Sequence, residues 1–183
     1  MLASGSPQRR AILEQIGIAF EVRVSGAEEV EEGPAAEVAL ENAYRKAAAV
    51  VGALDSPRLP VLGVDTVVSL GRRLLGKPQD PAEAAAMISA LAGRVHLVVS
   101  GICLIDSSRT RTAAARTSVE FRSLDAAAVQ AYVGTGEWRD RAGGYAIQGR
   151  GATLVNRIEG DYLNVVGLPV AALLDLAPGL IGD

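Results

Sequence analysis

The stretch that most restricts the fold runs from Val61 to Pro78, VLGVDTVVSLGRRLLGKP. It opens as an apolar run rich in Val and Leu, the signature of a buried strand. Asp65 interrupts that run. A carboxylate buried without a partner is strongly disfavoured, so this one requires a metal, a cation or water beside it. The chain then turns through Gly71, returns as Arg73-Leu74-Leu75 and delivers Gly76-Lys77-Pro78. A tight hairpin brings Lys77 back towards Asp65. Residue types alone leave two readings open: a structural ion pair at a strand end, or an acid and a cation gathered for phosphate chemistry.

The rest of the chain supplies helices and strands in alternation, then an antiparallel run. Ser4-Gly5-Ser6-Pro7 is turn chemistry, with Ser6 placed to cap a helix that Pro7 begins and Gly17 closes. A small-residue loop entering a helix N-terminus can take an anion, and Arg9 and Arg10 add positive charge there. The competing reading is a capped surface helix with solvated arginines. Met1 to Ser4 reads as a short first strand and Phe20 to Val24 as a second. Glu28, Glu29, Glu31 and Glu32 form an acidic run, of which three are expected to be solvated loop. Gly33-Pro34 opens a long helix to about Val51; by periodicity Asn42, Arg45 and Lys46 are polar positions and Lys46 a surface residue.

Asp80-Pro81-Ala82-Glu83 predicts a helix start by N-cap, Pro and capping-box acid. Val95 to Ile105 predicts a long strand, and Thr110 to Arg122 its antiparallel neighbour if Asp106-Ser107-Ser108 is a turn. His96 falls inside the first of these without metal-ligand company, as a strand-surface or core histidine. Asp125 caps a helix to Val133. Gly134 to Gly151, GTGEWRDRAGGYAIQGRG, is a glycine-rich loop dense in polar and aromatic groups, suited to lining a pocket or merely connecting elements. Its Gln148 offers both a donor and an acceptor to a base edge. A strand over Ala152 to Ile158, a short helix broken at Gly167 and a last helix from Pro169 complete the chain.

This alternation implies an α/β protein with a mixed, twisted sheet flanked by helices and two lobes around a central cleft. At 183 residues the chain fits one domain. A net charge of -3 argues against a large nucleic-acid surface. The single cysteine, Cys103, permits no disulfide within the chain and reads as a reduced core residue. No membrane-length apolar run or signal pattern is evident, so a cytoplasmic location is the default expectation. The motifs for a Walker loop, a dinucleotide fingerprint, a zinc site and a Ser-His-Asp triad are missing, and one histidine leaves little room for His-based acid-base chemistry.

Taken in order, LASGSPQRRAIL, Glu29, ENAYRKA, GVDTVV followed by GKP, and RAGGYAIQGRG followed by IEGDYLNVVGLP resemble the Maf family of nucleoside triphosphate pyrophosphatases. The resemblance covers nearly the whole chain as a single domain, 1–183, and implies an ITPase/Maf-like fold. It implies hydrolysis of a nucleoside triphosphate to the monophosphate and pyrophosphate with a divalent cation, Mg²⁺ or Mn²⁺. On this likeness Asp65, Lys77 and Glu29 fall on catalytic positions, with Asp65 as proton acceptor. Ser6, Gln8, Arg9, Lys46, Thr66 and Gln148 fall on substrate-binding positions, and Glu29 and Asp65 on the metal. Asp65-Thr66 and Ile147-Gln148-Gly149 look like the branch that prefers dTTP and UTP. Gln8 departs from it, since that branch carries Arg there; the 7-methyl-GTP branch carries Trp. Asn42 and Arg141 are further departures, where Arg and Lys respectively are common. The likeness also implies a homodimer. A nucleotide-binding regulator of septum formation is the alternative reading, and an RNA-binding domain a third, disfavoured by the acidic charge.

Overall fold

The computed structural model describes residues 1–54, 59–107 and 109–180 of the chain. Five strands form one sheet in the order β2-β1-β3-β4-β5, with β1 Val61–Leu70, β2 Arg73–Leu75, β3 Val95–Ile105, β4 Thr110–Phe121 and β5 Val155–Glu159. Every ladder between these strands is antiparallel. Parallel pairing, expected of a mixed sheet, is confined to isolated bridges from Leu2 to Val22 and to Leu62. The first two expected strands therefore shrink to single bridges. Leu2 is wedged between two neighbours and fully buried. Its N–H reaches Glu21 O at 2.7 Å and its carbonyl receives Arg23 N at 3.0 Å, while Ala3 N donates to Leu62 O at 2.8 Å.

Helices α1 Pro7–Gln15, α2 Ala35–Gly52, α3 Pro81–Leu91, α4 Ala126–Val133, α5 Tyr162–Val166 and α6 Val170–Leu176 flank the sheet. The cap at α3 forms with one change of partner. Asp80 Oδ1 accepts from Glu83 N at 2.8 Å, but Glu83 Oε2 reaches past the cap residue to Gln79 N at 2.7 Å. Asp125 caps α4 through Ala128 N at 2.7 Å, as its sequence context requires. The last strand starts at Val155 rather than Ala152, because Gly149–Leu154 winds as a 3₁₀ helix first. The turn expected at Asp106-Ser107-Ser108 includes Ser108, which lies outside the described residues; Asp106 and Arg109 close the hairpin there.

One feature of β1 and β3 sets the position of α2. Gly63 lies on β1 and Gly101 opposite Asp65 on β3. A Cβ on Gly63 would come within 2.0 Å of Ala43 O, and one on Gly101 within 2.3 Å of Ala39 O. The two glycines thus let the α2 backbone seat directly on the sheet. The helix meets them with Ala39, Ala43 and Ala47, all fully buried. At interior packing density such contact leaves no slack for sliding.

On the opposite face the long strands carry two apolar clusters. One gathers Val68, Val98, Val119 and Phe121 with residues of α3 and α4. The other gathers Leu62, Val64, Ile102 and Leu104 with residues of α1 and α6. Between them runs a polar band of Arg9, Thr66, Ser100, Thr117 and Asn164, linked by hydrogen bonds within the band and to neighbouring backbone. Thr66 Oγ1 and Ser100 Oγ share a hydrogen at 2.8 Å, and Asn164 Nδ2 donates to Thr117 Oγ1 at 2.9 Å. Both clusters pack on the same sheet.

His96 is a core residue, 1% exposed. Its Nε2 meets Tyr145 Oη at 2.7 Å, and its ring is edge-on to Phe121. Burial pushes its pKa down to about 4. The folded state therefore binds the proton less readily than the unfolded chain, and stability is lost as pH falls from the ordinary histidine value towards 4. Thermal melts across that window should show a slope of about 1.4 kcal/mol per pH unit from this residue, absent in His96→Gln.

Candidate active site

A cleft of about 530 Å³ opens beside β1 where β2 has ended. That size suits a small-molecule ligand. Because β2 pairs only with Val68, Ser69 and Leu70 and the Leu2 bridge reaches only Leu62, the middle of β1 has a free edge, and Asp65 and Thr66 line the cleft although they alternate across the strand.

Asp65 is 6% exposed, and α2 holds both of its oxygens. Lys46 Nζ sits 2.6 Å from Oδ1, and Asn42 Nδ2 donates to Oδ2 at 3.2 Å. The same Lys46 Nζ lies 2.7 Å from Glu29 Oε1. Two carboxylates thus converge on one cation position. Lys46 is no surface residue, since the seating of α2 on Gly63 and Gly101 points it into the cleft with only 12% of its side chain exposed. Glu28, Glu31 and Glu32 are exposed as expected; Glu29 is exposed too, and differs from them in that its carboxylate pairs with Lys46.

The hairpin does deliver Lys77 to the cleft wall, yet the cation paired with Asp65 is Lys46. Lys77 is exposed, and among the described residues its ammonium has no hydrogen-bond or ion-pair partner. A free ammonium facing the cleft remains available to an anion.

The N-terminal helix supplies the far wall. Ser6 Oγ caps it by accepting from Arg9 N at 3.5 Å and donates to Gln8 Oε1 at 3.1 Å. Arg9 is buried and donates to Gly167 O at 2.9 Å, Ser4 Oγ at 2.8 Å and Thr66 Oγ1 at 3.2 Å. Burial pushes its pKa down, and the charges of Asp65 and Glu29 pull it back up. Three of its five N–H groups are occupied by the protein, leaving two for a ligand. Arg10 points away to the surface.

The loop after α4 forms the third wall with Arg139, Asp140, Arg141 and Tyr145. Glu137 staples this loop: its two oxygens accept from Arg150 N and Gly151 N, each at 3.0 Å. Asp140 adopts a left-handed backbone at φ 59°, a conformation uncommon outside glycine. Arg141 Nε is buried without a hydrogen-bond partner. Gln148 is exposed and lies outside the cleft lining, unlike the other eight residues singled out from the sequence. The segment Ser25-Gly26-Ala27 lines the cleft without having been singled out; its signal was the small-residue turn at Gly26, where φ is 61°.

The oxygens of the two acids meet at one positive charge, the donor set that a divalent cation would use. Among the described residues no group of three or more His, Cys, Asp or Glu is placed to hold a metal. The remaining ligands would have to be water and substrate phosphate, the usual way Mg²⁺ is held.

Fold and cleft together define an α/β protein with a cleft that brings paired acids and cationic side chains together. The chain belongs to the Maf-like family, whose model matches residues 1–179. It is 47% identical over 180 residues to a dTTP/UTP pyrophosphatase of Deinococcus radiodurans, covering 98% of this chain and 91% of that one. It is 46% identical over 178 residues to a protein of the same name from Gloeobacter violaceus, covering 96% and 93%. A third relative of that name, from Thermococcus kodakarensis, is 45% identical over 177 residues, covering 96% and 94%.

Proposed function

We propose that the cleft hydrolyses nucleoside triphosphates, with dTTP and UTP favoured, to the nucleoside monophosphate and pyrophosphate. The observation that carries this reading is the convergence of Asp65 and Glu29 on one cation position beside the unpaired Lys77. The names of the relatives support the substrate class.

In this reading water attacks the α-phosphorus, the bond to the bridging oxygen breaks and pyrophosphate leaves. Asp65 takes the proton from the attacking water. Lys77 and Lys46 place point charges on phosphate oxygens, and the free N–H groups of Arg9 add directional donors. Ser6 and the N-terminus of α1 contribute neutral donors. Glu29 and Asp65 would hold a divalent cation, which would supply charge neutralisation and lower the pKa of bound water. Thr66 and Gln8 sit where they can contact the nucleotide; Gln148 does so only if its loop moves inward.

The regulator reading is not favoured, since binding alone would not call for paired acids. The reading also takes the protein to be a cytoplasmic homodimer, which light scattering and cell fractionation would check. Among the described residues no helix is long and apolar enough to cross a membrane.

The test is pyrophosphate release from dTTP, UTP, CTP, 7-methyl-GTP, ITP and the standard purine triphosphates, with Mg²⁺ or Mn²⁺ and with EDTA. Preferred turnover of dTTP and UTP that EDTA abolishes is the expected result. Even turnover across the panel would assign relaxed selectivity to Gln8. Silence with every nucleotide and either metal would sink the reading.

A further inference from the structure

Asn42 is 2% exposed, and its whole amide is engaged. Oδ1 accepts from Val30 N at 2.7 Å, and Nδ2 donates to Val30 O at 2.9 Å. The same Nδ2 donates to Asp65 Oδ2 at 3.2 Å. A side-chain amide that pairs with both backbone groups of one residue acts as a short piece of strand. The residue it grips adjoins Glu29. The residue it touches on the other side is Asp65. Lys46, one helical turn further along α2, spans the same two acids.

We propose that Asn42 is a positioning residue that sets the spacing between Glu29 and Asp65. Glu29 sits on an extended segment with few anchors of its own, and its side chain is 43% exposed. Ion pairing to a flexible lysine would not alone hold it in place, because an exposed carboxylate gains little from such a pair. The amide clamp adds direction: two hydrogen bonds fix the backbone at Val30, and the third fixes the carboxylate plane of Asp65. Since α2 is seated on Gly63 and Gly101, the clamp refers both acids to one rigid element. Residues that orient ligating or reacting carboxylates without touching substrate commonly matter by about 10- to 100-fold.

The proposal rests on Glu29 and Asp65 being the acids of the hydrolysis, and its test separates the two ideas. Wild type, Asn42→Ala, Glu29→Gln and the double variant are compared for pyrophosphate release from dTTP with Mg²⁺. Hydrogen exchange is read in parallel on the peptide spanning residues 27–33. Asn42→Leu, which keeps the side-chain volume, replaces the alanine variant if that one lacks the wild-type circular dichroism. The expected result is a kcat loss of about 10- to 100-fold in Asn42→Ala with little change in KM. The double variant should be slower than Glu29→Gln alone by less than the full Asn42→Ala factor, because the part of that loss that comes from a displaced Glu29 is already taken and only the Asp65 contact is left to lose. Exchange at residues 27–33 should rise in Asn42→Ala while α2 stays protected. Losses that multiply in the double variant, or an unchanged kcat, would overturn the positioning role. If wild type proves inactive on every nucleotide, the hydrolytic reading fails by itself, and unchanged exchange at residues 27–33 would separately overturn the clamp.

Discussion

Asp65→Asn should lower pyrophosphate release by about 10²- to 10⁴-fold, the contribution typical of a positioned general base. The substitution is close to isosteric, so the side-chain volume is kept while the charge and basicity of one carboxylate are removed. Oδ1 lies 2.6 Å from Lys46, and an amide there still offers that ammonium an acceptor. The other position then carries an NH2 group that faces the Asn42 Nδ2 donor, so that one hydrogen bond is lost. Circular dichroism and nucleotide binding should still change little while kcat collapses. A variant that retains most of its turnover would transfer the proton-accepting role away from Asp65, with Glu29 as the next candidate in the cleft.

The second large effect concerns the fold. Gly63→Ala places a methyl group 2.0 Å from Ala43 O, a backbone atom in the middle of α2. No rotamer change relieves a clash with backbone, so the helix must lift from the sheet. Overpacking of this kind costs about 3 kcal/mol or more when the obstructing group cannot yield. For a chain of this length that corresponds to a melting temperature lower by about 6–12 °C. Asn42 and Lys46 flank the contact point, so turnover should fall with stability, and Gly101→Ala should behave alike. A variant that melts with wild type would show that α2 does not depend on bare backbone beneath it.

Sequence and structure agree where the governing interaction is local. Ser6, Asp80 and Asp125 were readable as caps because a cap bonds within three residues. The strand around Asp65 and its hairpin were readable from apolar patterning and Gly71, since register in a tight hairpin follows from the turn. Lys46 was not readable in this way. Helical periodicity makes it polar, and only the close approach of α2 to two glycines on separate strands turns it inward. Asn42 showed as a polar position on that helix and as a departure from the family pattern, but its clamp did not show, because the backbone it holds lies on a segment without regular structure. The expected strand at Met1 to Ser4 failed for a related reason: its neighbours at Val22 and Leu62 each pair with it for one residue, which alternation along a chain cannot foretell. Family likeness identified eight residues that the cleft gathers, and one, Gln148, that stays outside it.

The polar band between the two apolar clusters has a consequence for how such a protein can change over generations. Side chains packed around α1 and α6 share Val166 with those around α3 and α4, and elsewhere Arg9, Thr66, Ser100, Thr117 and Asn164 stand between the two sets. Substitutions in separated clusters act nearly independently on stability. One half can therefore drift, reshaping the wall nearest Gln8 and Gly167, without disturbing the other half. Meanwhile α2, on the opposite face, keeps the two acids in register. Selectivity and chemistry are in this sense separately heritable, on two sides of a single sheet.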